Sequence, residues 1–274
     1  MGTIDRCEGR HAFGADPEGY HAARPAYPER VFEILRQRCG LRPSCRTFEI
    51  GGGTGACTRR LMELGASPLV VAEPDARLAA FLTRTLPDVD VRVTTFESAR
   101  LPSEWFELGT SASAFHWLDE AASLAKIGQV LRDRGWWAVW WNLFFDGTRV
   151  DEFRKATSAL LEGLDQSPSR GLSGRPSFAM DTNARIANLR DAGMFDEIEF
   201  ENLPWSIVLD SAQLTRLYAT FSPITRLDFE KRKRLLEDLR QIAEKQFGGK
   251  VELNITTPIY TAQRRVRRTT AVEV

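Results

Sequence analysis

The amino-acid sequence predicts a doubly wound α/β fold, in which a largely parallel sheet carries helices on both faces. Three observations indicate it. Strand-like and helix-like segments alternate through the first half of the chain, with one βα unit in about 30 residues. The run 69–72 is continuously apolar, as in strands that are buried on both faces. A glycine-rich turn at 51–55 joins the first strand to the first helix, where such sheets place a nucleotide.

Each element of the first half has a local reason. The helix expected at 75–86 has leucines at a spacing of four, Asp75 as its cap and Pro87 as its stop. Gly109 weakens the fourth strand, and Gly135 follows the helix that precedes the fifth. We expect strands at 47–50, 69–72, 91–95, 106–112 and 136–143, and helices at 57–64, 75–86 and 120–132.

The second half has a different pattern, which predicts a C-terminal lobe. The segment 165–177 is rich in Ser, Pro and Gly, and a loop of this length is usually functional or disordered. Periodicity gives helices at 151–161, 182–192, 211–220 and 229–247, and strands at 198–200, 207–209 and 251–262. The predicted regions are an N-terminal helical segment (1–45), a core (46–148), and a lobe with the last strands (149–274).

Composition excludes several classes of protein. With 37 Lys+Arg and 37 Asp+Glu the net charge is zero, which argues against binding to nucleic acid. We read the basic segment 264–268 as a solvated tail. No apolar run reaches the ~20 residues of a membrane helix, and the N-terminus lacks the apolar region of a signal peptide. Four scattered cysteines and three histidines predict free thiols in the cytoplasm and no metal site.

The most informative segment is the glycine turn. Gly51, Gly53 and Ala56 fit the dinucleotide pattern G-x-G-x-x-[GA], and Glu49, Gly51, Gly53 and Gly55 fit the rival pattern acid-x-Gly-x-Gly-x-Gly. Glu73 ends the second strand, where its carboxylate can accept hydrogen bonds from ribose hydroxyls. A carboxylate at position 49 repels a pyrophosphate but attracts an ammonium and a sulfonium. The turn therefore favours S-adenosylmethionine (SAM) over NAD.

Here the sequence resembles the class I SAM-dependent methyltransferases. The resemblance rests on five segments in the family's order and covers most of the chain: 48–55, 71–75, 95–97, 111–117 and 130–135. Three further segments (20–28, 114–117 and 141–142) are similar to a small-molecule subgroup that includes the trans-aconitate and ubiquinone/menaquinone-type methyltransferases. The chain departs from the family at Glu107, usually Asp, and at Gly109, usually β-branched. The resemblance implies a seven-stranded sheet whose last strand returns antiparallel at the edge.

The resemblance also implies a set of cofactor-binding residues. The glycines approach the methionine part, Glu73 binds the ribose, Phe96 stacks on adenine with Glu97 near its amino group, and Tyr20 with Arg24 closes over the carboxylate. Phe96 has a structural alternative to cofactor binding, a position in the hydrophobic core. Tyr20 and Arg24 have another, an N-terminal helix anchored by Pro25 and Pro28. The full set comprises Tyr20, Arg24, Glu49, Gly51, Gly53, Gly55, Glu73, Pro74, Phe96, Glu97, Ser111 and Phe115.

His116 is the candidate catalytic residue, because it follows the fourth strand where the sheet opens. Burial between aromatic residues lowers a histidine pKa and keeps the ring neutral, as a general base requires. The alternative is a structural histidine, since methyl transfer from an activated methyl can rest on positioning alone. Trp117, Trp141 and Asn142 are candidates for substrate contacts. Arg170 and Arg175 in the long loop either meet an acidic substrate or are solvated.

The predicted function is methylation of a small molecule at O, N or carboxylate by a monomer or homodimer. A lobe that covers the site would exclude water. The alternatives are an NAD-dependent oxidoreductase, a SAM-binding regulator without catalysis, and a tRNA or protein methyltransferase on the same fold. Zero net charge and an aromatic cleft argue against a large acceptor.

Overall fold

The computed structural model describes residues 2–144, 147, 149–170 and 176–267. The strands are β1 (Cys45–Ile50), β2 (Ala66–Glu73), β3 (Asp90–Val93), β4 (Phe106–Ala112), β5 (Leu131–Trp140), β6 (Phe195–Asp210) and β7 (Lys250–Arg264). The helices are α1 (Arg6–Arg10), α2 (Pro17–Ala23), α3 (Glu29–Gln37), α4 (Ala56–Glu63), α5 (Ala76–Thr85), α6 (Glu120–Val130), α7 (Glu152–Thr157), α8 (Thr182–Asp191), α9 (Ser211–Ala219), α10 (Ser222–Thr225) and α11 (Phe229–Phe247).

The strands form one seven-stranded sheet in the order β3-β2-β1-β4-β5-β7-β6. Strands β1 to β5 run parallel, and β7 pairs antiparallel with both β5 and β6. The strand order reverses between β1 and β4, so a cleft opens at the carboxyl ends of these strands. The predicted doubly wound seven-stranded sheet is confirmed.

The position predicted for the last strand is wrong. Strand β7 lies between β5 and β6, and β6 forms the edge as a single strand of 16 residues in place of the two short strands expected. The prediction of a solvated tail also fails at Arg264. Its side chain is buried on β7, donates to the Gly128 carbonyl and pairs with Asp133 and Glu104. Arg268 lies outside the described residues.

Several element ends differ from the prediction. Strand β5 starts at Leu131 and ends at Trp140, so α6 ends at Val130, directly before the strand. The helix expected at 151–161 is α7 followed by a 3-10 turn, Ser158–Leu161. In the described part of the 165–177 segment, residues Pro168–Arg170 form another 3-10 turn.

The two departures from the family pattern in β4 have structural reasons. An added Cβ at Gly109 would collide with the Phe48 ring, which stacks on Phe96 at 5.8 Å between ring centroids. Burial raises the pKa of Glu107, but hydrogen bonds from Arg42, the Arg46 N–H and Arg132 outweigh it and lower the pKa to about 2. Gly109 therefore makes room for an aromatic core.

Gly109→Ala is expected to destabilise the fold by at least about 1 kcal/mol, because the added methyl overpacks this core. Urea unfolding at neutral pH measures the change. Gly147→Ala is the control, since a Cβ there would meet no described residue within 4 Å. Equal free energies of unfolding for the two variants would contradict the account of Gly109.

Apolar side chains fill both faces of the sheet, and a third cluster lies in the lobe between α7, α9, α11 and β7. Trp137 packs in the cluster on one face of the sheet and Trp140 in the cluster on the other, as expected if β5 is a buried central strand. None of the helices in the described ranges is long and apolar enough to cross a membrane.

Candidate functional site

A cavity of about 280 Å³ lies at the carboxyl ends of β1, β2 and β4. Helix α2, the lobe and the segment 161–170 contribute to its walls. The predicted site residues that line it are Tyr20, Arg24, Glu49, Gly51, Gly53, Glu73, Pro74, Phe96, Glu97, His116, Trp117, Trp141 and Asn142. The chain thus brings most of the predicted residues to one site.

Gly55, Ser111 and Phe115 do not line the cavity, contrary to the prediction. Ser111 is fully buried and donates its hydroxyl to the Ile50 carbonyl, and Phe115 packs in the core beside Trp137. Gly55 has a φ of 87°, and an added Cβ would lie 2.5 Å from Leu82 Cδ1. These three residues pack against the strands and the first turn of α4, so they stabilise the cavity wall without contacting the cavity.

The other two glycines form the cavity wall. Gly51 and Gly53 have φ values of 72° and 55°, which side-chain-bearing residues rarely adopt. An added Cβ at Gly51 would collide with Ala114, whereas one at Gly53 would meet no atom within 4 Å in the described ranges. The turn therefore leaves open space against its own backbone, where a ligand can approach closely.

Glu49 is the penultimate residue of β1, beside this turn, and is 1% exposed. Its Oε2 accepts a hydrogen bond from Thr58 Oγ1 at 2.6 Å, while Oε1 is buried and has no N–H or O–H donor in the described part of the chain. The Cys57 thiol also interacts with this carboxylate and acts to lower its pKa. Burial raises the pKa of Glu49 to about 7. A buried carboxylate oxygen without a donor is costly, so this atom is a site for a cationic or hydrogen-bonding ligand.

Glu73 ends β2 on the other side of the turn. Its Oε2 accepts from the Gly53 N–H at 2.8 Å, and its Oε1 accepts from the Asp75 N–H at 3.0 Å. Burial raises the pKa of Glu73 to about 7 despite these hydrogen bonds. The two backbone contacts fix the carboxylate at the cavity wall and leave further lone pairs for a ligand.

The predicted adenine side contains an ion pair that the sequence did not indicate. Arg10 in α1 binds the Glu97 carboxylate, with Nη2 and Oε1 2.6 Å apart, and also donates to the Trp117 carbonyl. Phe96 is 2% exposed and stacks on Phe48, so its ring belongs largely to the core, although the residue contributes to the cavity lining. The Arg10 side chain thus lies close to the carboxylate that was expected near the adenine amino group.

Arg24, which follows α2, lies among aromatic rings. Its guanidinium carbon is 5.1, 5.4 and 5.0 Å from the ring centroids of Tyr20, Phe144 and Phe221. Its Nη2 donates to the Thr220 carbonyl at 3.0 Å, and its buried Nε has no hydrogen-bond partner in the described ranges. No carboxylate from these ranges forms a salt bridge with Arg24, so the cavity wall holds a cation suited to an anionic ligand.

His116 lies in the 3-10 turn Phe115–Trp117 after β4 and is 5% exposed. Its Nδ1 is 3.0 Å from the indole nitrogen of Trp141. Burial, with a smaller contribution from the Arg6 charge, lowers the pKa of His116 to about 3. The ring is therefore neutral at physiological pH, as predicted, but it is a far weaker base than an ordinary histidine.

The predicted substrate contacts are largely occupied within the protein. Asn142 accepts from Thr257 Oγ1 at 2.8 Å, and its amide nitrogen lies 3.4 Å from the Ala26 carbonyl. Trp117 and Trp141 are buried and line the cavity with part of their surfaces. Arg170 also lines it, whereas Arg175 lies outside the described residues. The acceptor side of the cavity is thus mainly aromatic.

Comparison with known proteins identifies the domain. Residues 48–139 match the family model described as a methyltransferase domain. An uncharacterised methyltransferase of Schizosaccharomyces pombe is 25% identical over 92% of this chain and 96% of its own length.

Solved structures share the fold. A protein of Anaeromyxobacter dehalogenans described as a type II methyltransferase superposes with a TM-score of 0.61 at 21% identity, over 88% of this chain and 97% of its own. The phosphoethanolamine N-methyltransferase 2 of Haemonchus contortus, solved with S-adenosyl-L-methionine, has a TM-score of 0.55 at 12% identity. The superposition covers 94% of this chain and 57% of that protein.

The domain match, the fold and the acidic glycine turn together indicate a SAM-dependent methyltransferase. SAM is its cofactor, and the expected alternative of an NAD-dependent oxidoreductase is wrong. In the described ranges no group of three or more His, Cys, Asp or Glu side chains is placed to hold a metal ion.

Proposed function

We propose that the cavity binds SAM between Glu49 and Glu73 and transfers its methyl group to a small-molecule acceptor at O, N or carboxylate. The observation that carries the proposal is the Oε1 of Glu49, which has no N–H or O–H donor in the described ranges and lies beside a turn with open space at Gly53. SAM supplies an ammonium and a sulfonium, and a cation near this atom offsets the cost of its burial. The residues present therefore fit the cofactor.

The remaining cofactor contacts follow from the position of Glu73. Its carboxylate accepts the ribose hydroxyls in this proposal, with Pro74 and Phe96 beside the adenine and the Arg10–Glu97 pair at the adenine rim. Tyr20 and Arg24 hold the methionine carboxylate, since Arg24 has no carboxylate partner in the described ranges. When bound, SAM supplies an activated methyl group.

The acceptor side points to a small molecule. Trp117, Trp141, Phe144 and Phe221 line it, together with 3-10 and loop residues of the lobe. A concave site of about 280 Å³ fits small ligands and offers no extended surface for a macromolecular acceptor. The similarity of segment 20–28 to the trans-aconitate and quinone-type subgroup supports the same conclusion. In-line displacement then rests on positioning and on exclusion of water.

The first test is calorimetry with SAM, S-adenosylhomocysteine (SAH) and NAD. We expect SAM and SAH to bind and NAD to give no heat, followed by methyl transfer to a member of a small-molecule panel. Tight SAH binding without transfer to any acceptor would favour a SAM-binding regulator, and a response to NAD alone would overturn the proposed cofactor site. The cytoplasmic location and the monomeric or homodimeric state stay predictions.

Arg24→Ala is expected to weaken SAH binding by roughly tenfold or more, because the methionine carboxylate loses a charged donor. The matched ligand is 5′-methylthioadenosine, which has the nucleoside but no amino-acid part. Its affinity should change less than threefold, by calorimetry on the same variant. A loss of equal size for both ligands would place Arg24 away from the cofactor carboxylate.

A further inference from the structure

Ser113 directly follows β4 and forms part of the cavity wall. Its backbone φ is 57°, a left-handed conformation that residues with a Cβ adopt only at a cost in free energy. Its N–H donates to the Trp140 carbonyl at 2.8 Å, which holds the backbone in this conformation. Glycine would adopt the same conformation without strain, so the strain points to a use for the Ser113 hydroxyl.

The hydroxyl oxygen of Ser113 receives two hydrogen bonds from the protein. The phenol oxygen of Tyr27 lies 3.1 Å from it, and the Asn142 N–H donates to it across 3.3 Å. Burial raises the pKa of Tyr27, so the phenol keeps its hydrogen. Because Ser113 Oγ is the hydrogen-bond partner of this phenol in the described ranges, Tyr27 is the donor of the pair.

These two contacts leave the hydrogen of the Ser113 hydroxyl for a ligand. A hydroxyl group has two lone pairs and one hydrogen. Tyr27 and the Asn142 N–H occupy both lone pairs, and no residue in the described part of the chain accepts the hydrogen. The group can therefore donate to a ligand in the cavity, and it cannot take a proton from a nucleophile.

The position of Ser113 in the sheet places it toward the acceptor. The strand order is β2-β1-β4-β5, so the two carboxylates assigned to SAM, Glu49 and Glu73, lie on one side of β4. Ser113 hydrogen-bonds to the backbone of Trp140 and Asn142, at the end of β5 on the other side. Its hydroxyl is thus displaced from the cofactor carboxylates toward the acceptor side of the cavity.

We propose that Ser113 is a specificity-determining residue, whose hydroxyl donates a hydrogen bond to an oxygen of the acceptor molecule. The inference rests on the proposed function. Tyr27 and the Asn142 N–H fix the direction of the hydroxyl hydrogen before the acceptor arrives, which lowers the entropic cost of binding. A molecule with an apolar group at this position leaves the donor unpaired and binds more weakly. Because the hydroxyl only donates, it orients the acceptor and takes no part in proton transfer.

Acetophenone and 2-phenylpropene test this selection, because they have the same shape and differ only in a carbonyl oxygen against a methylene group. Their affinities for SAH-saturated protein are measured by ligand-observed NMR. Ser113→Ala should reduce the affinity for acetophenone by about three- to tenfold, as for the loss of one neutral hydrogen bond, and should change the affinity for 2-phenylpropene less than twofold. Equal changes for the two probes, or no binding of acetophenone to the unmodified protein, would overturn the proposed role.

Tyr27→Phe separates this role of Ser113 from a purely structural one. In Ser113→Ala the buried phenol loses its acceptor, so this variant should unfold at a lower temperature than the unmodified protein. Adding Tyr27→Phe removes the stranded hydroxyl, so the double variant should regain thermal stability and keep the weak binding of acetophenone. Tyr27→Phe alone retains Ser113 and should bind acetophenone within twofold of the unmodified protein. A loss as large as that of Ser113→Ala would mean that the two hydroxyls only order the cavity wall.

Binding of SAH distinguishes a failure of this inference from a failure of the proposed function. Absence of SAH binding to the unmodified protein would contradict the proposed function, whatever the probes do. Each variant should bind SAH within about threefold of the unmodified protein, which also shows that the variant is folded. If the double variant lost more affinity for SAH than for acetophenone, the Ser113 hydroxyl would belong to the cofactor, and its role toward the acceptor would be overturned.

Discussion

Glu49→Gln is expected to weaken SAM binding by roughly 10- to 100-fold and, at pH 8, to stabilise the ligand-free protein by about 1–3 kcal/mol. Both effects come from one buried carboxylate. Its Oε1 has no N–H or O–H donor in the described chain, so the ionised form is costly until a cationic ligand arrives. Replacing the carboxylate with an amide removes the cost of burying a charge in the ligand-free protein. It also removes the attraction for the cationic groups of SAM.

The sign of the stability effect depends on pH. Burial raises the pKa of Glu49 from its ordinary value of 4.5 to about 7 in the folded protein. The folded state therefore favours the protonated form, and the stability from this preference is fully present below pH 4.5 and lost as pH rises through 7. We expect Glu49→Gln to match the unmodified protein in stability near pH 4.5 and to exceed it at pH 8.

Glu107→Gln is the matched control, because it changes another buried carboxylate, one paired with arginines. Three hydrogen bonds outweigh the effect of burial and lower the pKa of Glu107 to about 2, so this carboxylate stabilises the fold above pH 4.5. The variant should lose stability at pH 8 and keep its affinity for SAM. Thermal unfolding at pH 4.5 and at pH 8 measures the stability of each variant, and calorimetry measures its affinity for SAM. A destabilised Glu49→Gln protein at pH 8 would contradict the account.

The parts of the site that the sequence predicted are those set by local pattern. The glycine turn, Glu49 and Glu73 all lie within one βαβ unit, where a strand end, a turn and a helix start determine the geometry. Leucine spacing and Asp75 likewise predicted α5, whose cap the structure confirms. Such features depend on neighbours along the chain, and the periodicity of the sequence contains them.

The parts that could not be predicted depend on contacts distant in sequence. Arg10 and Glu97 are 87 positions apart, and Arg24 meets the Thr220 carbonyl 196 positions away. The Trp141–His116 hydrogen bond joins the ends of two neighbouring strands. The insertion of β7 between β5 and β6 follows from the antiparallel pairing of two long strands. The sequence pattern of one strand does not determine which other strands pair with it.

Ser111 and Phe115 illustrate the same limit at short range. The segment 111–117 that contains them was expected at the cofactor. The structure places the other five of its residues at the cavity: Ala112, Ser113, Ala114, His116 and Trp117. Alternation along β4 points Ser111 toward the Ile50 carbonyl, while the 3-10 turn directs Phe115 into the core. Proximity to a motif therefore predicted the region, and the backbone decided which side chains face the ligand.

SAM binding is expected to strengthen by up to about tenfold per pH unit for each carboxylate as pH rises from 5.5 to 7. Burial raises the pKa values of both Glu49 and Glu73 to about 7, so both are largely protonated at pH 5.5. The ribose hydroxyls and the cationic groups of SAM favour the ionised forms, so binding lowers both pKa values and releases protons.

Calorimetry at pH 6.5 in two buffers with different ionisation enthalpies counts the protons released. Glu73→Gln should bind SAM more weakly and should release fewer protons than the unmodified protein, because one of the two coupled carboxylates is gone. Glu107→Gln should leave the count unchanged, since the pKa of Glu107 lies near 2 and that carboxylate is ionised throughout. A pH-independent affinity between 5.5 and 7 would mean that neither carboxylate meets the cofactor, and the ribose assignment of Glu73 would fall with it.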